Sequence, residues 1–185
     1  MKDIKVLFFN ADPATMSLAP PVVALFHSIL KENNIEMRYF DTQAYDTSAM
    51  YADPNDFRYS NLIVKGGNIV NERTAKKPKD GTSMYSDFKA EAEGWQPDVI
   101  MGSATEGTFL FARDLFQSVR NLNIPHVLGG VFATFAPEVA IGYPEIDIVC
   151  TGEGENIIVP LSIKLKLKED LSTLQNIWFK DTTGN

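Results

Sequence analysis

Apolar residues in this chain fall into short compact runs, separated by stretches in which they recur every three or four positions. The first run, Ile4 to Phe9, breaks at Asn10-Ala11-Asp12-Pro13. A run of that length ending in turn formers predicts a buried strand of a parallel sheet. Pro20-Pro21 then opens a helix, since proline is tolerated in the first turn, with an apolar face of Val22, Leu25, Phe26, Ile29 and Leu30. Asn33-Asn34 stops it, and Ile35 to Phe40 predicts a second strand that ends at Asp41.

The rhythm resumes further on. Ser86 is placed to cap a helix running to Trp95, with Asp87 near its positive end. Val99 to Thr105 predicts a third strand that runs into small polar residues. A helix follows from Thr108 to Leu122, with Phe109, Ala112, Phe116 and Val119 on one side. The fourth strand, around Val127-Leu128, stops at Gly129-Gly130. A short helix from Pro137 to Ile141 leads to the fifth strand, Ile146 to Cys150. Beyond Asn156 the signals compete. Ile163 to Lys168 alternates with period two, whereas Ile157, Leu161 and Leu165 at spacing four favour a helix, as does the alternation so far. Asn176 to Lys180 predicts one more strand. The pattern is that of a three-layer α/β fold, Rossmann-like or flavodoxin-like, with a five-stranded parallel sheet and right-handed crossovers.

Residues 42–85 do not follow this rhythm and read as an insertion, being too long for a plain connection. Within it, Leu62 to Lys65 and Asn68 to Asn71 flank Gly66-Gly67, a hairpin signature. Thr74 to Thr82 is polar and basic. Residues 1–170 are expected to form one domain, and 171–185 a linker with the first strand of a further, downstream domain.

Composition narrows the function. Apolar residues make up 44% of the 185, enough for a packed core, and the net charge is −7 at pH 7. No basic block is present to hold nucleic acid. The single cysteine, Cys150, excludes an internal disulfide framework and any multi-cysteine metal site. No apolar run approaches the roughly 20 residues of a membrane span. Met1-Lys2-Asp3 leads straight into a strand with no signal peptide, so the expected setting is a reducing cytoplasm, with neither membrane nor nucleic acid as partner.

The carboxyl ends of parallel strands are where ligands bind in such folds. Three loops are expected to gather there, Ala11 to Leu18, Ser103 to Thr108 and Gly129 to Thr134, with a fourth, Gly152 to Glu155, beside them. Their glycines let a bulky ligand approach the backbone, and Ser103, Thr105 and Thr134 offer neutral hydrogen bonds. Each has a plainer reading as well. Gly129-Gly130 can simply turn the chain, Ser103 and Thr105 can cap helices, and Glu153 and Glu155 can be solvated or hold backbone amides. His27 is expected on the outer side of its helix, His126 in a structural role and Cys150 as a buried small hydrophobe. No GxxxxGK[ST] motif occurs and no GxGxxG follows the first strand, which argues against phosphate-loop and dinucleotide sites. No Ser/His/Asp or Cys/His constellation is evident. The inventory is one of binding, with no catalytic residue.

Taken in order, these pieces resemble the N-terminal cobalamin-binding domain of cobalamin-dependent radical S-adenosylmethionine enzymes. The matching pieces are the Pro20-Pro21 helix start, Asp41, and Pro97-Asp98-Val99-Ile100-Met101-Gly102-Ser103. They continue with Val127-Leu128-Gly129-Gly130-Val131-Phe132-Ala133-Thr134, Pro137-Glu138, and Asp147-Ile148-Val149-Cys150-Thr151-Gly152-Glu153-Gly154-Glu155. The resemblance implies a corrinoid lying across the carboxyl edge, its nucleotide tail beside Gly129-Gly130. The cofactor contacts it implies are Asp12, Met16, Ser17 and Leu18 in the first loop, Ser103 and Thr105, and Gly129, Gly130, Ala133 and Thr134. Gly152, Glu153 and Gly154 complete them.

Two departures shape the expectation. The DxHxxG motif that supplies a cobalt-ligating histidine in methionine-synthase-like domains is absent, so cobalamin is expected base-off and His-off, with no residue of this chain on the metal. The CxxxCxxC of an iron–sulfur cluster is also absent. S-adenosylmethionine and the cluster would then belong to a downstream radical domain of the same polypeptide, of methyltransferase or cyclase type, and this chain alone is not expected to catalyse. Two other readings stay open: a non-catalytic sensory or interaction domain that has lost cobalamin, and a flavodoxin-like nucleotide-binding protein.

Overall fold

The computed structural model describes residues 3–11, 20–47 and 79–180. Its elements run in chain order from β1 (Ile4–Asn10), α1 (Pro21–Glu32) and β2 (Ile35–Phe40) to the short strands β3 (Tyr45–Asp46) and β4 (Lys79–Asp80). Next come α2 (Met84–Trp95), β5 (Val99–Ser103), α3 (Phe109–Val119) and β6 (His126–Gly129). The rest are α4 (Val131–Phe135), α5 (Pro137–Ile141), β7 (Ile148–Cys150), α6 (Ile158–Leu167) and β8 (Ile177–Phe179). The main sheet has the order β2-β1-β5-β6-β7-β8. Its first five strands are parallel, in the flavodoxin-like arrangement.

The strands are apolar on both faces, and the faces divide two cores. Leu7, Phe9, Ile100, Leu128 and Val149 pack against α2 to α5, while Val6, Phe8, Met101, Val127 and Ile148 face α1 and α6. The first core is dense in aromatic rings, with Phe9 5.0 Å from Phe116 and Phe40 4.9 Å from Phe88 between centroids. Gly102 makes room for this cluster, since a Cβ there would fall 2.4 Å from the Phe9 ring.

Two aspartates tie the amino ends of neighbouring strands together. Asp98 accepts from the Lys5 backbone N–H at 2.9 Å and from Lys166 Nζ at 2.6 Å, joining β1, β5 and α6. Asp147 accepts from the His126 backbone N–H at 2.9 Å and from Arg120 at 2.8 Å.

Several expectations are corrected. The sheet has a sixth strand: Ile177–Phe179 pairs antiparallel with β7, and Lys180 Nζ donates to Tyr143 O at 2.6 Å and Ile146 O at 2.7 Å. Leu25 is 43% exposed, so α1 turns Val22, Phe26, Ile29 and Leu30 inward without it. The second helix begins at Met84, because Asp80 accepts from Thr82 N–H and starts a 3₁₀ turn that leads into it. Ser86 therefore lies inside the helix and donates to Ser83 O. The long third helix gives way after Val119 to a 3₁₀ turn ending at Asn123. The segment after Gly130 is a helix, Val131–Phe135, where a loop was expected. The contested stretch from Ile158 to Leu167 is helical. Its apolar residues bury against one sheet face, which overrides the period-two alternation.

The hairpin expected around Gly66-Gly67 lies outside the described residues. Just within them, β3 and β4 pair parallel, and Tyr45 donates to Asp87 at 2.8 Å. Among the described residues no helix is long and apolar enough to cross a membrane.

Candidate functional site

Strand register builds the site from below. Phe8 pairs with Met101 and Met101 with Val127, which sets a row of apolar side chains across one sheet face. Two residues further along the same face, Asn10, Ser103 and Gly129 form the next row, at the carboxyl edge. A large residue at 129 would cover the apolar row beneath. Glycine leaves it open, and the space above it is a cavity of about 180 Å³.

Phe8, Met101, Val127 and Cys150 line this cavity from the sheet. Val22 and Phe26 of α1 close one side, and Ile157, just before α6, with Ile158 and Leu161 of α6 close the other. Phe8 and Phe26 meet edge to face at 5.5 Å. Gly152, Glu153, Gly154 and Glu155 form the rim. Gly154 is required for the wall, since a Cβ there would lie 2.7 Å from the Phe26 ring.

Gly130 is fixed by two constraints at once. Its φ is +94°, and an added Cβ would stand 2.7 Å from Ala104 O and 2.9 Å from Ala104 N. This close approach lets Phe132 N–H donate to Ala104 O at 3.1 Å, so the loops after β5 and β6 are held as one surface. The Ser103 hydroxyl lies under the same point and lines the cavity.

Electrostatically the cavity is apolar with one acidic rim. Glu153 is exposed, whereas Glu155 is partly buried and its Oε2 is fully shielded, with no hydrogen-bond partner. Burial, and then the charge of Glu155, push the Cys150 thiol up to about 11. Among the described residues no group of three or more His, Cys, Asp or Glu could hold a metal ion.

The structure thus brings together Ser103, Gly129, Gly130, Gly152, Glu153 and Gly154. Three other expected contacts lie apart from the cavity. Thr105 is engaged in capping the turn before α3: its backbone N–H donates to Thr108 Oγ1 at 3.0 Å. Ala133 is fully buried in the core on the opposite face of the sheet. Thr134 links two loops through its hydroxyl, which donates to Gly130 O and accepts from Gly152 N–H. Asp12, Met16, Ser17 and Leu18 fall outside the described residues.

Sequence reasoning missed the walls. Phe26, Cys150 and Leu161 read as core, and only the packing of the two helices on the sheet shows that they surround a space. Glu155 carried a signal, its place beside three glycine-loop residues, but nothing distinguished it from its exposed neighbour Glu153.

Residues 74–162 match the family described as the B12 binding domain. That match bears out the resemblance carried by the sequence motifs. No curated protein matches the chain. Among solved structures, the radical S-adenosylmethionine methyltransferase TsrM from Kitasatospora setae, with cobalamin and a 4Fe–4S cluster bound, superposes with a TM-score of 0.66. Identity is 17%, and the alignment covers 98% of this chain and 28% of that one. The cobalamin-dependent S-adenosylmethionine radical enzyme OxsB, with aqua-cobalamin and S-adenosylmethionine bound, gives 0.65 at 19% identity over 100% of this chain. It is covered to only 22% of its length, so the chain spans between 22% and 28% of these two structures, and at such identities the likeness is one of fold.

Proposed function

We propose that this chain binds cobalamin at the carboxyl edge of its sheet, with the nucleotide tail in the cavity between α1 and α6. It would serve as the cobalamin-binding part of a radical S-adenosylmethionine enzyme of methyltransferase or cyclase type. The observation that carries the proposal is the vacant position at Gly129. A Cβ built there meets nothing nearer than the Cys150 and Gly102 carbonyl oxygens, both at 4.0 Å, so glycine here serves the space above it and not the packing of the fold. The match of residues 74–162 to the B12 binding domain points to the same occupant.

The residues present fit a corrinoid tail. Phe8, Phe26 and Met101 offer an apolar slot for a flat heteroaromatic base, and the hydroxyl of Ser103 stands at its mouth. The Gly152 and Gly154 backbone leaves the entrance low enough for the tail to pass. When bound, the corrinoid supplies the cobalt for methyl transfer or related radical chemistry, and the protein positions and shields it.

Both histidines support a His-off state. His27 sits exposed on α1. His126 opens β6 at its amino end, with Nδ1 2.8 Å from Glu145 O, at the pole of the sheet opposite the cavity. Neither stands at the carboxyl edge. In this reading no imidazole of the chain reaches the lower face of the cobalt, and a tail held in the cavity is a base removed from it.

Incubating the full-length polypeptide with hydroxocobalamin, followed by gel filtration and a visible spectrum, tests this reading. Corrinoid comigrating with the protein and showing a base-off spectrum is expected from the wild type, and loss of the colour from a folded Gly129→Leu variant. A wild type that stays colourless, or a Gly129→Leu variant that binds undiminished, overturns it.

A further inference from the structure

We propose that Glu155 is a cofactor-recognition residue, accepting a hydrogen bond from the nucleotide tail and so selecting corrinoids that present a donor there. The inference rests on the cobalamin reading above and adds to it a residue that the motif comparison leaves unassigned.

Glu155 lines the cavity where its rim meets α6. Its Oε2 is buried without a hydrogen-bond partner, and the side chain has no ion pair among the described residues. The helix start takes no side-chain cap, and the backbone N–H groups on either side of Glu155 are engaged elsewhere. Ile157 N–H and Ile158 N–H donate to Gly154 O at 3.0 and 2.9 Å, and Gly152 N–H donates to Thr134 Oγ1. Glu155 is thus not the helix cap that its position suggests. Glu153, two residues earlier, is exposed and needs no partner.

A carboxylate oxygen removed from water and left without a donor is destabilising. Such a group persists at a cavity wall when a ligand completes it. The remaining lining is almost wholly apolar, so Glu155 is the strongest acceptor the tail would meet inside. The tail has two kinds of donor to offer. One is a ribose hydroxyl, common to all complete corrinoids. The other is an N–H on the lower base, present on the exocyclic amine of adenine and absent from the free ring nitrogen of dimethylbenzimidazole.

The test compares three corrinoids on the full-length polypeptide: tail-less cobinamide, cobalamin, and the cobamide with adenine as lower base. Dissociation constants are measured for the wild type, Glu155→Gln and Glu155→Leu, together with thermal unfolding of each variant without ligand. Loss of one hydrogen bond to a charged group corresponds to about tenfold or more in affinity. Glu155→Leu is therefore expected to weaken the tailed corrinoids by about that factor. It should leave cobinamide unchanged and unliganded stability equal or higher. An equal loss for both tailed forms assigns the donor to the ribose, and a loss confined to the adenine form assigns it to the base.

Unchanged affinities in both variants overturn the inference. So does a sharp fall in unliganded stability with affinities intact, which would make Glu155 a structural residue. A wild type that binds none of the three fails at the cobalamin reading itself. One that binds cobinamide as tightly as cobalamin fails at the placement of the tail in the cavity. Either of those results removes the ground for Glu155 as well.

Discussion

Gly152 N–H donates a 2.9 Å hydrogen bond to Thr134 Oγ1, and the same hydroxyl donates to Gly130 O at 3.0 Å. One side chain thereby joins two glycines of positive φ, at +94° and +70°, and fixes the loops after β6 and β7 relative to each other. Thr134 lies outside the cavity, yet it sets the shape of the mouth. Thr134→Val keeps the volume and removes both bonds. It is expected to cost about 1 kcal/mol of stability in urea unfolding and to weaken hydroxocobalamin binding, whereas Thr134→Ser retains most of each. A loss in Thr134→Ser that is absent from Thr134→Val would show that the methyl group matters and the hydroxyl does not.

Gly129 and Gly130 are adjacent in sequence and opposite in what they tolerate. An alanine at 130 places a Cβ 2.7 Å from Ala104 O at a φ of +94°, so Gly130→Ala should destabilise by about 1–3 kcal/mol. An alanine at 129 meets nothing closer than 4.0 Å and should leave unfolding unchanged while narrowing the cavity. Chemical denaturation of the two variants side by side separates the fold's need for glycine from the site's. A Gly129→Ala protein as unstable as Gly130→Ala would remove the distinction.

The contrast also shows which features the sequence carries openly. Apolar runs ending at Asn10, Ser103 and Gly129 announce parallel strands and their carboxyl edge, because a strand buried on both faces has no polar alternation to hide it. The strand Ile177–Phe179 was visible, but its partner was not. Pairing with β7 depends on where the chain returns, which a local pattern does not encode. The helix Val131–Phe135 was masked by Gly130, read as loop because glycine punctuates loops, although here its φ of +94° starts the helix. The cavity was hidden for a different reason. Val22, Phe26, Ile157 and Leu161 have the spacing of core residues, and local spacing looks the same whether the face they line is filled or hollow. Ala133 is the reverse case: it lies within a glycine-rich motif that suggests ligand contacts, while its helix turns its side chain into the opposite core.

His126 gives the fold an acid-labile point. It is fully buried, stacked on Phe116 at 4.8 Å, with Nδ1 2.8 Å from Glu145 O and Nε2 lacking a partner. Burial holds its pKa below the ordinary 6.5, outweighing the Glu145 carbonyl and the Asp147 charge, which act in the opposite direction. Below about 6.5 the unfolded chain therefore binds a proton that the folded chain resists, and stability falls as pH drops from there towards the depressed folded value. Unfolding free energies measured between pH 7.5 and 5 should decline for the wild type. His126→Asn, which keeps a donor facing Glu145 O and cannot titrate, should show a shallower decline. Identical profiles would place the acid sensitivity elsewhere.

Cys150 reports on the cavity directly. The thiolate is the reactive form of cysteine, and burial together with the Glu155 charge pushes this thiol up to about 11. In the native protein at pH 8, a thiol-exchange reagent should therefore label Cys150 more than tenfold more slowly than in denaturant, where the chain's single cysteine titrates as one thiol. Glu155→Gln removes the smaller of the two causes and leaves burial, so labelling should quicken only modestly. Hydroxocobalamin should slow it further, because a tail in the cavity covers the sulfur without touching the sheet around it. Native labelling as fast as that of the unfolded chain would mean that the cavity floor is open to water. Labelling unaffected by bound corrinoid would place the tail somewhere other than above Cys150.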